Sequence, residues 1–261
     1  MMRSVLAVLT VVVATFILAP IVIVARLLGF SESGVPQWCM RTWARSICVV
    51  GGAKIVLHHP ERMQRERGVV YACNHVSWFD VFAIAAVLPK YTFIAKAELR
   101  KIPLFGWGAE SAGVVFLARE NRKSAFESYR GAAKRVAGGT SVVVFPEGTR
   151  GTEYALRPFK KGPFVLAIAA QSPVVPVVVY GAREMMPRGS FNIRANTVHI
   201  HFLEPVETTG LDYDGRHALM RGVWGRMAAC LHEEYGIDDR GAAISEADAG
   251  AIAAPTIEHT A

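Results

Sequence analysis

"GVVYACNHVSWFDVFAIAAVL", residues 68–88, changes its period half-way. The first half is a short apolar run of strand length and composition; the second, "WFDVFAIAAVL", is apolar over helix length. Between them stand Asn74, His75 and Ser77, and Asn and Ser are residue types that favour turns and helix N-caps. His75 and Asp80 are ionisable and lie five apart. In one unbroken strand they would point to opposite faces about 16 Å apart. In one unbroken helix they would differ by about 140° around the axis. Only a strand ending near His75, a turn, and a helix starting near Ser77 to Asp80 bring them into contact. Asp80 then accepts a hydrogen bond from one ring nitrogen, fixes the tautomer, and leaves the other nitrogen as a general base. The spacing alone also arises by chance, so the pair needs support elsewhere in the chain.

Working outward, strands and helices alternate from Gly51. "AKIVLHH", "YTFIAK", "GVVFLAR", "SVVVFPEG", "VVPVVVYG" and "TVHIHFLEP" read as further strands. "LFGWGAESA", "RKSAFESYRGAAKRVAGG", "GPFVLAIAAQ" and "DGRHALMRGVWGRMAACLHEEYG" read as helices. Near-continuous Val/Ile/Phe runs between helices predict an α/β domain, with a largely parallel or mixed sheet covered by helices on both faces.

No charged residue stands between Arg3 and Arg26. Those 22 residues, at about 1.5 Å each, reach about 33 Å as a helix, enough to cross a hydrocarbon core. The apolar part of a signal peptide runs about 7–15 residues before a small-residue cleavage site. This segment is longer, and Arg26 and "LLGF" follow it, so a retained membrane anchor is expected. Arg26, Arg41, Arg45 and Lys54 come after it and favour a cytoplasmic side for the domain, at the cell membrane. Next, "VPQWCMRTWARSICVV" is amphipathic through Trp38, Met40, Trp43 and Ile47, to pack on the domain or lie in the membrane interface. The expected organisation is an N-terminal membrane segment and amphipathic helix over 1–50, a catalytic domain over 51–236, and a disordered tail over 237–261. A formal net charge of +7 suits an anionic membrane surface or a phosphorylated substrate. No nucleic-acid module or basic tract with interleaved aromatics appears, so no nucleic-acid partner is expected. The four cysteines show no C-x-x-C spacing and read as reduced, buried thiols.

Support for the His75–Asp80 pair comes from "FPEGTRG", residues 145–151, directly after the strand "SVVVF". One loop there carries Glu147, a flexible Gly148, the Thr149 hydroxyl and the Arg150 guanidinium, a planar fork for phosphate. "KAELRKIPLFGWGAESAGVVFLARE" adds Lys96 and Arg119, and "PVVPVVVYG" an apolar wall. With these on the page, the chain resembles the glycerolipid acyltransferases: "NHVSWFD" matches their NHxxxxD motif and "FPEGTR" their EGTR motif. The Lys96 and Arg119 segment and "PVVPV" resemble their second and fourth blocks, in the family's order, over roughly residues 50 to 205. Within the family the likeness is to the bacterial 1-acylglycerol-3-phosphate (lysophosphatidate) acyltransferases.

The resemblance implies a glycerol-phosphate acyltransferase-like fold and a lysophospholipid acceptor at the membrane. It implies an acyl donor that is acyl-CoA or acyl carrier protein, with no cofactor and no metal. His75 would deprotonate the sn-2 hydroxyl, which attacks the thioester without an acyl-enzyme, while Asp80 orients the imidazole. Glu147, Gly148, Thr149 and Arg150 would bind the acceptor, with Lys96 and Arg119 helping to hold its phosphate. Gly151 stands where the family often has serine, a change expected to matter little. Competing readings remain. Glu147 could only close its loop, and Lys96 and Arg119 could be solvated. Cys73 shares a strand face with His75 and could serve as a nucleophile. His199 and His201 alternate on one strand as metal ligands might, though without an evident third. Other acceptors, another lysophospholipid or a lyso-aminolipid, fit the same chemistry, as do a non-catalytic lipid-binding protein and a hydrolase.

Overall fold

The computed structural model describes residues 1–30, 34–64, 66–118 and 122–238. Two helices, α1 (Met2–Leu27) and α2 (Val35–Gly51), lead into β1 (Ala53–His58), β2 (Val70–Cys73), α3 (Trp78–Val87) and β3 (Tyr91–Lys96). There follow α4 (Phe105–Ser111), β4 (Val115–Leu117), α5 (Arg122–Ala137), β5 (Ser141–Val144), α6 (Gly162–Ala169) and β6 (Val174–Tyr180). The single-turn α7 (Ala182–Met185), β7 (Asn196–Phe202) and α8 (Arg216–Tyr235) complete the order. Of these helices, α7 has no counterpart in the reading of the sequence, because one turn carries no periodicity. The tail expected to be disordered falls outside the described residues from 239 onward.

The strands form one sheet in the order β1-β7-β6-β2-β5-β3-β4. Every pairing is parallel except β6 with β7. Side chains alternate between two cores, as strand geometry requires. In β6, Val175, Val177 and Val179 join Phe79 and Ile84 of α3, whereas Val174 and Val178 join α6 and α8 on the other face. β2 and β5 are neighbours and end level, Ala72 opposite Val144. The helix after β2 covers one face and the helix after β5 the other. The crevice beyond the carboxyl ends of β2 and β5 is therefore a topological switch point, where open α/β sheets hold their ligands.

α1 docks along the domain rather than standing apart from it. Ser4 Oγ accepts from the Ile193 N–H at 2.9 Å, and Trp43 Nε1 donates to Thr15 Oγ1 at 3.0 Å. Leu18 and Val22 pack with Cys39 and Ala112. Gly108 of α4 sits so close that a Cβ built on it would lie 2.6 Å from the Ala19 Cβ. The other face, including Val5, Leu9, Val13, Phe16 and Val24, is bare apolar surface. Among the described residues α1 is the one helix long and apolar enough to cross a membrane.

In α2 the two arginines do something composition does not show. Arg45 donates to the Ala86 carbonyl at 2.9 Å, and Arg41 donates to the carbonyls of Leu88 and Pro89. They satisfy and oppose the negative, unpaired end of α3. Ile47 is buried and Trp43 packed, so this face of the helix belongs to the domain, and of Trp38, Met40, Trp43 and Ile47 it is Trp38 that is bare.

Candidate active site

The turn between β2 and α3 is over-determined by short hydrogen bonds. Asn74 is buried, and its amide replaces a missing rung against β6: Nδ2 donates to Val179 O at 3.0 Å and Oδ1 accepts from Val179 N at 2.7 Å. Ser77, extended at φ −145, caps α3 by accepting from the Phe79 N–H at 3.2 Å. Such a cap contributes about 1 kcal/mol. Its hydroxyl donates in turn to Met186 O at 2.8 Å. Asp80 Oδ2 accepts from the N–H groups of Val76 and Ser77, both at 2.7 Å, and meets His75 Nδ1 at 2.9 Å. With Nδ1–H given to a fully buried carboxylate, the lone pair of His75 sits on Nε2.

The loop after β5 closes around the same histidine. Glu147 Oε1 accepts from the His75 N–H at 2.9 Å, and the Gly151 N–H donates to His75 O at 2.7 Å. The Phe145 ring stacks on the imidazole with centroids 4.1 Å apart. His75 is thus gripped at both backbone groups and one ring face by "FPEGTRG". Gly148 takes φ +79, the left-handed conformation expected of it, and reverses the loop. A Cβ on Gly151 would lie 3.2 Å from Glu153 O, so a serine there needs only a small shift.

Glu147 is buried, and burial pushes its carboxyl up to about 7 against the pull of the His75 N–H and of Arg157. In this state it grips the His75 backbone, the loop-closing alternative, although it also lines the cleft. The Arg150 guanidinium lies 4.9 Å over the Trp78 ring, a cation–π arrangement that aims it into the cleft.

The cleft holds about 920 Å³, and its lining includes His75, Lys96, Thr149, Arg150, Lys160 and Arg188. Lys96 is exposed at the end of β3 and faces this space; Arg119 lies outside the described residues. A second, apolar cavity of about 160 Å³ adjoins it, walled by Leu18, Val22, Trp43, Phe82, Phe105 and Ala112. Trp78, Val81, Phe93, Ala95 and Leu99 line both, so the two spaces share a wall.

Three features escaped the reading of the sequence. Arg157 Nη1 donates to the carbonyls of Thr149 and Arg150, at 3.3 and 3.2 Å, and braces the loop from seven residues downstream. Arg188, in the turn after α7, lines the cleft from a segment with no motif signal. The anchor-like α1 supplies part of the apolar cavity wall. "PVVPVVVYG", expected as a wall, forms β6 at the sheet centre and is not part of the cleft lining.

The remaining candidates resolve by burial. Cys73 is fully buried in the core, and burial pushes its thiol well up, so the nucleophilic thiolate is disfavoured. His199 meets His58 at 3.0 Å, and His201 Nε2 meets the Tyr235 hydroxyl at 2.6 Å. No group of three or more His, Cys, Asp or Glu among the described residues is arranged for a metal.

Residues 54–180 match the family model described as Acyltransferase. A lyso-ornithine lipid O-acyltransferase of Pseudomonas aeruginosa is 30% identical over 72% of this chain and 77% of that protein. The chain belongs to the acyltransferase family. Another member, the chloroplastic 1-acyl-sn-glycerol-3-phosphate acyltransferase BAT2 of Brassica napus, is 39% identical over 124 residues. That match takes in 48% of this chain but only 36% of the plant protein's length. The crystal structure of the 1-acyl-sn-glycerophosphate acyltransferase PlsC of Thermotoga maritima shares the fold. It has a TM-score of 0.67 at 22% identity, covering 86% of this chain and 95% of that one. The family segment contains both loops that meet at His75.

Proposed function

We propose that the protein transfers a fatty acyl group from an acyl-CoA or acyl carrier protein thioester to the sn-2 hydroxyl of 1-acylglycerol-3-phosphate, giving phosphatidate. The observation that carries this is the 2.9 Å contact between His75 Nδ1 and the buried Asp80, with the other ring nitrogen left to a cleft that also holds Arg150. His75 Nε2 takes the proton of the acceptor hydroxyl as its oxygen attacks the thioester carbonyl carbon. The C–S bond then breaks, and the imidazolium gives its proton to the leaving sulfur, which departs as a thiol and restores the neutral ring. Asp80 orients the ring and favours its transient charge. Glu147, Gly148 and Thr149 shape the acceptor loop, and Arg150 takes the phosphate. Lys96 and Arg119 are proposed as further cations for the same headgroup. The apolar cavity beside the cleft suits an acyl chain. The chemistry needs no cofactor or metal beyond the thioester.

We place the domain at the cytoplasmic face of the membrane, the bare face of α1 in lipid. Arg26 in the last turn of α1 is the basic residue nearest the C-terminal end of that helix, as the orientation rule asks, whereas Arg41 and Arg45 are engaged with α3. Protease protection of a tagged C-terminus in sealed vesicles checks this.

The deciding experiment gives the purified membrane fraction an acyl thioester and a panel of lysolipids, follows thiol release, and identifies products by mass spectrometry. Thiol release that depends on lysophosphatidate and vanishes in His75→Ala is the expected result. Release without acceptor would make the protein a hydrolase, and no release a lipid-binding protein. The likeness to the lyso-ornithine lipid enzyme supports one second reading, a lyso-aminolipid as the preferred acceptor.

A further inference from the structure

Arg188 lies in "MMPRG", residues 185–189, outside every motif that marks the family. Its turn is fastened to the turn before α3 where Ser77 donates to Met186 O. Its Nη1 donates to Arg150 O at 2.8 Å, and both arginines line the cleft that holds His75. Among the described residues no ion pair engages Arg150 or Arg188. Asp80, the carboxylate whose charge supports Arg150, is committed to His75. Burial first, and the Arg188 charge second, work against the Arg150 guanidinium's own charge.

Two cations held together without a carboxylate are an unfavourable arrangement that an anion would relieve. A phosphate monoester carries between one and two negative charges and three terminal oxygens, enough for two planar forks. A diester or a zwitterionic headgroup offers less of both. We propose that Arg188 forms with Arg150 a two-guanidinium grip for a phosphate monoester in this cleft. The inference rests on the cleft being the acceptor's site, as argued above, and adds a residue that selects the headgroup.

The test pairs kinetics with binding. Arg188→Ala and Arg188→Lys are assayed with lysophosphatidate at saturating thioester, and glycerol 3-phosphate is titrated calorimetrically into the same proteins. Losing one charge-assisted fork should raise the acceptor KM and weaken glycerol 3-phosphate about 10- to 100-fold, with kcat held within about twofold and partial recovery in Arg188→Lys. Unchanged affinity for glycerol 3-phosphate in Arg188→Ala overturns the grip, whichever acceptor the enzyme uses. A fall in kcat at constant KM also overturns it, since that is what mere bracing of the Arg150 loop would give. If the protein acylates only a lyso-aminolipid while glycerol 3-phosphate binding still depends on Arg188, the grip stands and the lysophosphatidate reading falls.

Discussion

His75 and the histidines of the β1–β7 edge contrast in what each ring faces. At the switch point, His75 gives Nδ1–H to a fully buried carboxylate and its other nitrogen to an open cleft. On the β1–β7 edge, His58 and His199 are 3.0 Å apart, and His58 stacks on His201 with centroids at 3.9 Å and planes 1° apart. His201 reaches Tyr235, whose ring stacks on Tyr180 at 3.7 Å. Among the described residues no carboxylate forms an ion pair with these rings, although the Glu234 charge works to raise His58. Burial first, then the His58 charge, pushes His201 down to about 4, and burial with His199 lowers His58. An imidazole held by a buried acid and open to a cleft is placed for the base role we propose, whereas one surrounded by other imidazoles serves as a packing element.

The largest effect that could break this contrast is at the paired ring. His75→Ala should cut kcat by about 10³- to 10⁴-fold with a melting temperature near that of the parent. Turnover within about tenfold of the parent would remove His75 as the base. Asp80→Asn should lose about 10²- to 10⁴-fold. It should also cost about 1–3 kcal/mol in denaturant melts, because two backbone N–H groups lose their carboxylate. A pure tautomer effect would leave stability untouched.

The next test asks whether the base works without its apolar surroundings. Gly108→Val would drive a Cβ to 2.6 Å from the Ala19 Cβ and lift α1 from α4, costing about 1–3 kcal/mol. The expected readout is a lower kcat/KM for long-chain thioesters with less change for short ones. An unaltered chain-length profile would detach the cavity from acyl binding.

Two pH profiles sharpen the contrast with smaller effects. Glu147 is raised to about 7, so the stability tied to its protonated form is complete below its unfolded value of 4.5 and is lost as pH rises through about 7. The melting temperature of the parent should fall from pH 5 to 8 relative to Glu147→Gln. His201 has the opposite sign: its stabilising neutral form is complete above 6.5 and is lost as pH falls toward 4. His201→Phe should flatten the fall in melting temperature between pH 7 and 5 and leave turnover at pH 7 unchanged. The slope also feels His199, His59 and Glu234, so a parallel His199→Gln melt assigns its share.

Much of the turn between β2 and α3 was legible because its logic is largely local. Asp80 and the Ser77 cap act within a few residues of His75, and only one backbone path lets a five-residue spacing close, whereas the bonds of Asn74 to Val179 and of Ser77 to Met186 reach across the fold. Arg150 and Gly148 were legible for the same reason, one loop with its own turn chemistry. Arg188 was not, because its neighbour Arg150 lies 38 residues earlier and nothing near either marks the pairing. Arg41 and Arg45 look in the sequence like charges that only orient a membrane segment, and nothing near them shows that they also cap a helix more than 40 residues away.

The amino-acid order alone determined the alternation of strands and helices, the apolar leading helix, and the turn that joins imidazole to carboxylate. These rest on periodicity and on turn preferences felt between near neighbours. Tertiary structure decided that β5 lies beside β2, so that a second loop clamps His75, that α1 walls a cavity, and that two arginines share one cleft. Strand order in a sheet is set by long-range packing, and no short window of residues carries it.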